Sequence, residues 1–316
     1  MGYVKDALLG FATADALGVP IEFTKRNQGE PLKEMVGFGS HPVPEGTWSD
    51  DTSMTIAAMD SIIDKKGIDY NDIMKRFLQW IQSAKYTATE EVFDMGIATR
   101  NALANFAMTN TEPTKCGVKG FNENGNGSLM RILPFVFYAY ENNMNEEEVT
   151  NFINDASSLT HAHEISRLGC KIYADYVFEL LNGKDKIQAL SELQNIDYNK
   201  YYSQESIDYY KRILDGSIAN ENVDKIKSSG FVVDTLEAAI WCTVNNDSYE
   251  NSVVRAINLG NDTDTVGAVT GSLNGLIYGA DNIPKRWLNK LRKKDYLEKL
   301  SMNFEQTLNT SIGKNK

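Results

Sequence analysis

Histidine and cysteine are scarce in this chain, three of each in 316 residues, and their placement excludes a good deal of chemistry. Cys116, Cys170 and Cys242 are odd in number and widely spaced, which argues against a disulfide framework. No Cys-x-x-Cys pair supplies a zinc or redox motif. Burial as small apolar side chains is their expected fate. No apolar run approaches the roughly 18 residues that would span a bilayer. The opening MGYVKDALLG enters an amphipathic pattern without a signal peptide's apolar stretch and small-residue cleavage site. Asp6 stands where a myristoylation signal needs Ser or Thr. A cytoplasmic protein with no membrane partner is therefore expected. Positive charge is also short, with 32 Lys and Arg against 43 Asp and Glu and a formal net charge of −11. Nothing rises to a nucleic-acid groove. The one basic run, from Lys285 to Lys294, is expected to be a solvated helix face. An acidic chain still binds phosphorylated small molecules where metals or backbone amides supply positive charge.

Strand-like alternation is missing too, and helical periodicity takes its place. Leu236, Ala239, Ile240, Thr243 and Val244 recur at the spacing of one helix face. Ile165, Leu168, Ile172 and Tyr176 repeat the pattern, as do Val266, Val269, Leu273, Leu276 and Ile277. The expectation is an all-α chain of about a dozen helices, folded as one domain over residues 1–316. No internal repeat points to a solenoid. The polar, tyrosine-rich stretch from Ile187 to Lys227 is expected to form a pair of surface helices.

Glycines and acids concentrate in loops at residues 15–22, 46–53, 120–131 and 260–267, each expected to open a helix. Ser49-Asp50-Asp51-Thr52 enters an apolar helical run, and taken alone it reads as an N-cap with acids on the helix dipole. Capping does not account for a second acidic loop of the same kind, Asp262-Thr263-Asp264-Thr265. Two carboxylates two residues apart, followed by a hydroxyl, can converge on a hard cation such as magnesium, calcium or manganese. Glu22 adds a fifth carboxylate. Gathered in one place without metal, the five would repel severely; two divalent ions would bring their formal charge from −5 to −1. The loops lack the ligand spacing of an EF-hand, and without Cys or His they do not suit zinc.

Gly125-Asn126-Gly127-Ser128-Leu129-Met130-Arg131 is a glycine-rich turn before a helix, suited to a close backbone approach and to phosphate on free amides. It is neither a Walker A motif nor a dinucleotide fingerprint. Phe121 can stack on a purine, although burial is the commoner fate of an aromatic. Thr160-His161-Ala162-His163 brings two histidines together, but no third nitrogen or sulfur ligand has suitable spacing. His161 beside a ligand is an equally consistent reading.

These segments, in this order, strongly resemble the ADP-ribosylglycohydrolase family. They are Asp15-Ala-Leu-Gly-Val-Pro-x-Glu22, Gly46-Thr-Trp-Ser-Asp-Asp-Thr52, Gly125–Arg131, Thr160–His163, Val233-Asp-Thr-Leu-Glu-Ala238 and Asn261–Thr265. The resemblance runs from about residue 3 to residue 280. It implies a compact all-α fold with a binuclear magnesium site, manganese being an alternative, at the base of an ADP-ribose cleft. The implied metal ligands are Ser49, Asp50, Asp51, Asp262, Asp264 and Thr265, with Glu22 joining in some states. Asp50, Asp51 and Glu22 would act in catalysis. Asn126, Gly127, Ser128, Leu129, Met130 and Arg131 would hold the diphosphate and proximal ribose, His161 would lie along the ligand, and Asp94 near the distal ribose. The implied reaction is hydrolysis of the glycosidic bond between ADP-ribose and an acceptor on a protein, nucleic acid or metabolite; a monomer is the separate expectation. Two other readings stand beside it: a binuclear-metal hydrolase of another ribosylated or phosphorylated molecule, and a non-catalytic ADP-ribose-binding relative. One departure from the family is Ala14, where glycine is common.

Overall fold

Gly10, Ala14 and Gly18 recur one helical turn apart, as do Gly267, Gly271 and Gly275, so helices across them present stripes with almost no side chain. The computed structural model describes residues 2–27 and 29–312, and among these are fifteen α-helices and no strand. The first half holds α1 (Tyr3–Gly18), α2 (Asp50–Lys65), α3 (Tyr70–Ser83), α4 (Ile97–Thr109), α5 (Leu133–Glu141), α6 (Glu146–Ser158) and α7 (Glu164–Leu181). Short helices α8 (Lys186–Glu192), α9 (Gln204–Tyr209) and α10 (Lys211–Leu214) follow. The chain continues through α11 (Val232–Val244), α12 (Tyr249–Ile257), α13 (Thr263–Tyr278), α14 (Lys285–Leu288) and α15 (Lys294–Ile312).

The two glycine stripes meet. Helices α1 and α13 run antiparallel, so close that a Cβ on Gly10 would lie 2.3 Å from the Gly271 carbonyl oxygen and one on Gly275 2.2 Å from that of Asp6. A Cβ on Gly271 would lie 2.6 Å from the Ala14 methyl, so that bare position on α13 faces the extra carbon of Ala14. This contact brings the C-terminal end of α1 against the first turn of α13, where the Thr263 hydroxyl donates to the Gly18 carbonyl at 2.8 Å. Helices α11 and α12 flank α13, while α15 packs on α1 and α2, so distant parts of the chain share one core. Gly271→Ala is expected to cost about 3 kcal/mol by forcing the two helices apart, read as a lower urea midpoint at unchanged slope.

The periodic residues of α7 and α11 are buried, as are Val266, Val269 and Leu273 on α13, and so are all three cysteines. Three expectations are corrected. The 187–227 stretch is broken into α8, α9, α10 and intervening 3-10 turns rather than two surface helices. Its Tyr198, Tyr202 and Tyr210 are buried, their hydroxyls donating to Asp175, Asn154 and the Ile165 carbonyl. The basic run is not one helix face: α14 ends at Leu288 and α15 begins at Lys294. Its cations pin other loops, Lys290 to the Met35 carbonyl and Lys293 to that of Thr87. The 15–22 segment closes a helix instead of opening one, so Asp15 lies inside the last turn of α1. No helix among the described residues is long and apolar enough to cross a membrane.

Candidate active site

Ser49 caps α2, its hydroxyl accepting from the Asp51 amide, so the capping reading of this loop holds for the serine. The two aspartates behind it are placed by a different device. Asp15 accepts from the Ser49 and Thr52 amides at 2.9 and 3.2 Å and from the Thr52 hydroxyl at 2.6 Å, which clamps the start of α2 onto the end of α1. At the facing end of α13, Asp264 accepts from the Thr265 amide and the Thr265 hydroxyl donates to Asp51 at 3.3 Å. The glycine contact between α1 and α13 therefore brings the two acidic loops to one place.

Carboxylate oxygens of Asp15, Asp51 and Asp264 lie within 4.8 Å of one another, and so do those of Glu22, Asp262 and Asp264. Oδ2 of Asp51, Oδ1 of Asp262 and Oδ2 of Asp264 are buried without a hydrogen-bond partner. Three orphaned anionic oxygens in one cluster are costly unless a cation fills the gap. Burial, with Asp94 and Asp15 next, holds Asp50 well above the usual carboxylate range. Burial, with Asp15 and Asp50 next, does the same for Asp51, and burial with Glu22 does so for Asp264. Glu22 is pushed up to about 10 by burial and by Asp94, and Asp15 to about 7 by burial. An all-oxygen set of this kind fits hard divalent cations.

These acids floor a cavity of about 390 Å³. Glu22, Asp50, Asp51, Asp262 and Thr265 line its base, Asp94 and the N-terminus of α4 one wall, and Gly125, Asn126, Gly127, Met130 and His161 the other. Ser49 and Asp264 lie buried just behind this floor. The Asn126 amide group bridges Asp262 at 2.8 Å and Thr235 at 2.9 Å, tying the glycine loop to the acidic floor. An isolated bridge between Gly125 and Phe231 fixes the loop's other side. Among the described residues the amides of Gly127, Ser128 and Leu129 have no acceptor, the arrangement of an anion-binding turn. A second hollow, lined by Phe121, Tyr209 and Phe231, adjoins the first at Asn122, Gly125 and Gly230. Phe121 is 53% exposed there, not buried as is commoner for an aromatic.

Three residues expected on the ligand do not reach it with their side chains. Ser128 is fully buried against Ser157 and Cys170. Leu129 is in the core. Arg131 turns inward because it follows the cavity-facing residues by part of a helical turn. Its guanidinium donates to the carbonyls of Ala156 and Ser157 and to the Thr160 hydroxyl, and lies over the Phe77 ring. Sequence reasoning also missed His41, whose Nε2 contacts Glu22 and whose ring packs on Phe93. Its loop, residues 24–45, has no periodicity from which that contact follows. Asp15 was seen in its motif, but its clamp on α2 was not foreseen.

Comparison with known proteins agrees with this geometry. The chain is 31% identical to an ADP-ribosylarginine hydrolase, Tri1, of Pseudomonas putida (strain GB-1), over 94% of this chain and 76% of the relative. It is 29% identical to the ADP-ribosyl-[dinitrogen reductase] glycohydrolase of Rhodospirillum rubrum, over 91% and 90%. A solved structure described as an ADP-ribosylglycohydrolase-related protein complex superposes with a TM-score of 0.81 at 30% identity, covering 97% of this chain and 98% of its own. The ADP-ribosylglycohydrolase family model matches residues 3–312, nearly the whole length, and the chain belongs to that family.

Proposed function

We propose that the chain hydrolyses the bond between C1 of the distal ribose of ADP-ribose and a guanidinium nitrogen of an ADP-ribosylated arginine, with divalent cations at the acidic floor. The observation that carries this reading is the set of orphaned oxygens on Asp51, Asp262 and Asp264, at one end of a cavity also lined by Gly127, whose amide has no acceptor among the described residues. That polarity runs cation, ribose, diphosphate, and the aromatic hollow of Phe121, Tyr209 and Phe231 beyond it suits a purine. The arginine acceptor rests on the activity named for the Pseudomonas relative and on the mouth of the cavity. Asp94 lies there beside Phe23, 68% exposed, and an acid next to an aromatic face favours a cationic leaving group.

Asp50, Asp51, Asp262, Asp264, Ser49 and Thr265 would hold two cations, magnesium or manganese, with Glu22 at the edge. Bound there, such ions supply Lewis acidity toward ribose hydroxyls and make water more acidic. The chain's own carboxylates stabilise positive charge growing at C1 as the acceptor departs. With cations at the floor, the Glu22 pKa would fall from the high value that burial and Asp94 give it, and the carboxylate, in contact with His41, would then take a proton from water there. The glycine loop orients the diphosphate and so fixes the ribose over the acids. The test is ADP-ribose release from arginine-linked and serine-linked substrates, each with magnesium, manganese or excess chelator. Release from the arginine-linked substrate in metal, and none in chelator, is the expected result. Equal release in chelator would sink the metal role, and preference for serine would sink the acceptor.

A further inference from the structure

Thr160 lies between a cation that only donates and an imidazole that does either. Arg131 Nη2 donates to Thr160 Oγ1 at 2.7 Å, and Oγ1 lies 2.9 Å from His161 Nδ1. All three side chains are buried. A hydroxyl carries one hydrogen, and among the described residues no other group accepts it from Thr160. Were Nδ1 protonated, the hydroxyl would face two donors with its own hydrogen unpaired in the core, a costly arrangement. The hydroxyl therefore donates to Nδ1, and the ring's hydrogen resides on Nε2. Nε2 has no hydrogen-bond partner among the described residues and belongs to a ring that lines the cavity. It lies 3.3 Å from where a Cβ on Gly127 would be and 3.5 Å from one on Gly125. The edge of the imidazole is thus set against the glycine loop, and a Cβ on Gly127 would also lie 3.1 Å from the Thr99 hydroxyl.

We propose that Arg131 and Thr160 are positioning residues that lock His161 in the Nε2–H tautomer, making it a fixed neutral hydrogen-bond donor to an anionic oxygen held by the glycine loop. The identity of that oxygen as a diphosphate's rests on the function proposed above; the tautomer does not. Burial, with the Arg131 guanidinium second, pushes the His161 pKa down to about 3, so the ring stays neutral at working pH. The lock also gives the inward-turned Arg131 a role in the site that its lack of cavity contact conceals. A neutral donor in a desolvated pocket is pre-organised and needs no proton from solvent when the ligand arrives.

The test is a long-range proton–nitrogen correlation spectrum of 15N-histidine-labelled protein, in which protonated and unprotonated ring nitrogens resonate far apart. With three histidines in the chain, His161 is assigned as the signal missing from His161→Gln. Wild-type His161 is expected to show one pure tautomer, hydrogen on Nε2, unchanged from about pH 5.5 to 8. In Thr160→Val, the two nitrogens are expected to move toward the averaged positions of an exchanging ring, and Thr160→Ser restores them. The ADP-ribose dissociation constant should rise about tenfold in Thr160→Val and stay near wild type in Thr160→Ser. Hydrogen on Nδ1 in wild type, or an unchanged His161 spectrum in Thr160→Val, would overturn the lock. The wild-type spectrum decides the tautomer even if the valine variant does not fold. Failure of wild type to bind ADP-ribose, with the tautomer as stated, would overturn the functional reading and leave the lock standing.

Discussion

Asp51→Asn is expected to lower ADP-ribose release by about a thousandfold while raising the melting temperature of the protein in chelator at pH 8. The first effect follows from the site: asparagine keeps the shape but supplies a weak neutral oxygen where an orphaned carboxylate oxygen faces the cluster. A thousandfold loss corresponds to about 4 kcal/mol of transition-state stabilisation. The second effect separates two accounts of the same residue. If Asp51 served the helix dipole at the start of α2, removing its charge would lose about 0.3–1 kcal/mol. The structure instead buries it beside Asp15, Asp50 and Asp262, each of which opposes its ionisation. Removing one member of such a cluster relieves repulsion, so stability without metal should rise by about 1–2 kcal/mol. In saturating magnesium the order reverses, because wild type gains binding free energy that the variant lacks. Thermal melts of both proteins, with and without metal, give four values. A lower melting temperature for Asp51→Asn in chelator would return Asp51 to the role of a cap.

Legibility in the sequence divides along physical lines. The acidic floor was readable because acids beside glycines at helix starts have few ways to be buried, and two such loops share one solution to their charge. Helices α7, α11 and α13 were readable from apolar spacing, which burial enforces directly. What failed depends on direction and distance. Ser128, Leu129 and Arg131 belong to the same motif as Asn126 and Gly127, yet the chain winds into a helix there and carries their side chains away from the cavity. A motif gives proximity along the chain; the helical turn decides which members face the ligand. His41 reaches Glu22 from an aperiodic loop, a contact that no local pattern encodes. Tyr198, Tyr202 and Tyr210 of the 187–227 stretch misled for another reason: their rings fill the core while their hydroxyls find acceptors inside the fold, so a polar-looking segment packs inward.

The metal-free protein is also expected to lose stability as pH rises from about 6.5 to 8.5, and divalent metal should abolish that loss. The carboxyl groups of Asp50, Asp51 and Asp264 are held well above their ordinary range, with Asp15 near 7 and Glu22 near 10. In the unfolded chain these groups ionise near pH 4. Between those limits the folded state binds more protons than the unfolded one, so unfolding free energy falls with rising pH. The slope is about 1.4 kcal/mol per pH unit for each proton of difference. The cluster's contribution is fully present below about pH 4 and is lost as each folded pKa is passed. His161 acts in the opposite sense: its pKa is lowered to about 3, so it favours the folded state increasingly as pH rises toward the unfolded value near 6.5. Above that point its contribution is constant, so the slope between about pH 6.5 and 8.5 does not include it. Divalent cations bind the ionised carboxylates, and their affinity grows over the same interval as protons cease to compete. At a hundredfold excess over the dissociation constant they add about 2.7 kcal/mol. Urea denaturation across this range should therefore give curves that diverge with pH, chelator falling while magnesium stays level or rises. Parallel curves would mean that cation binding displaces no protons over this range, and the carboxyl groups of the floor would then not be held protonated in the metal-free protein.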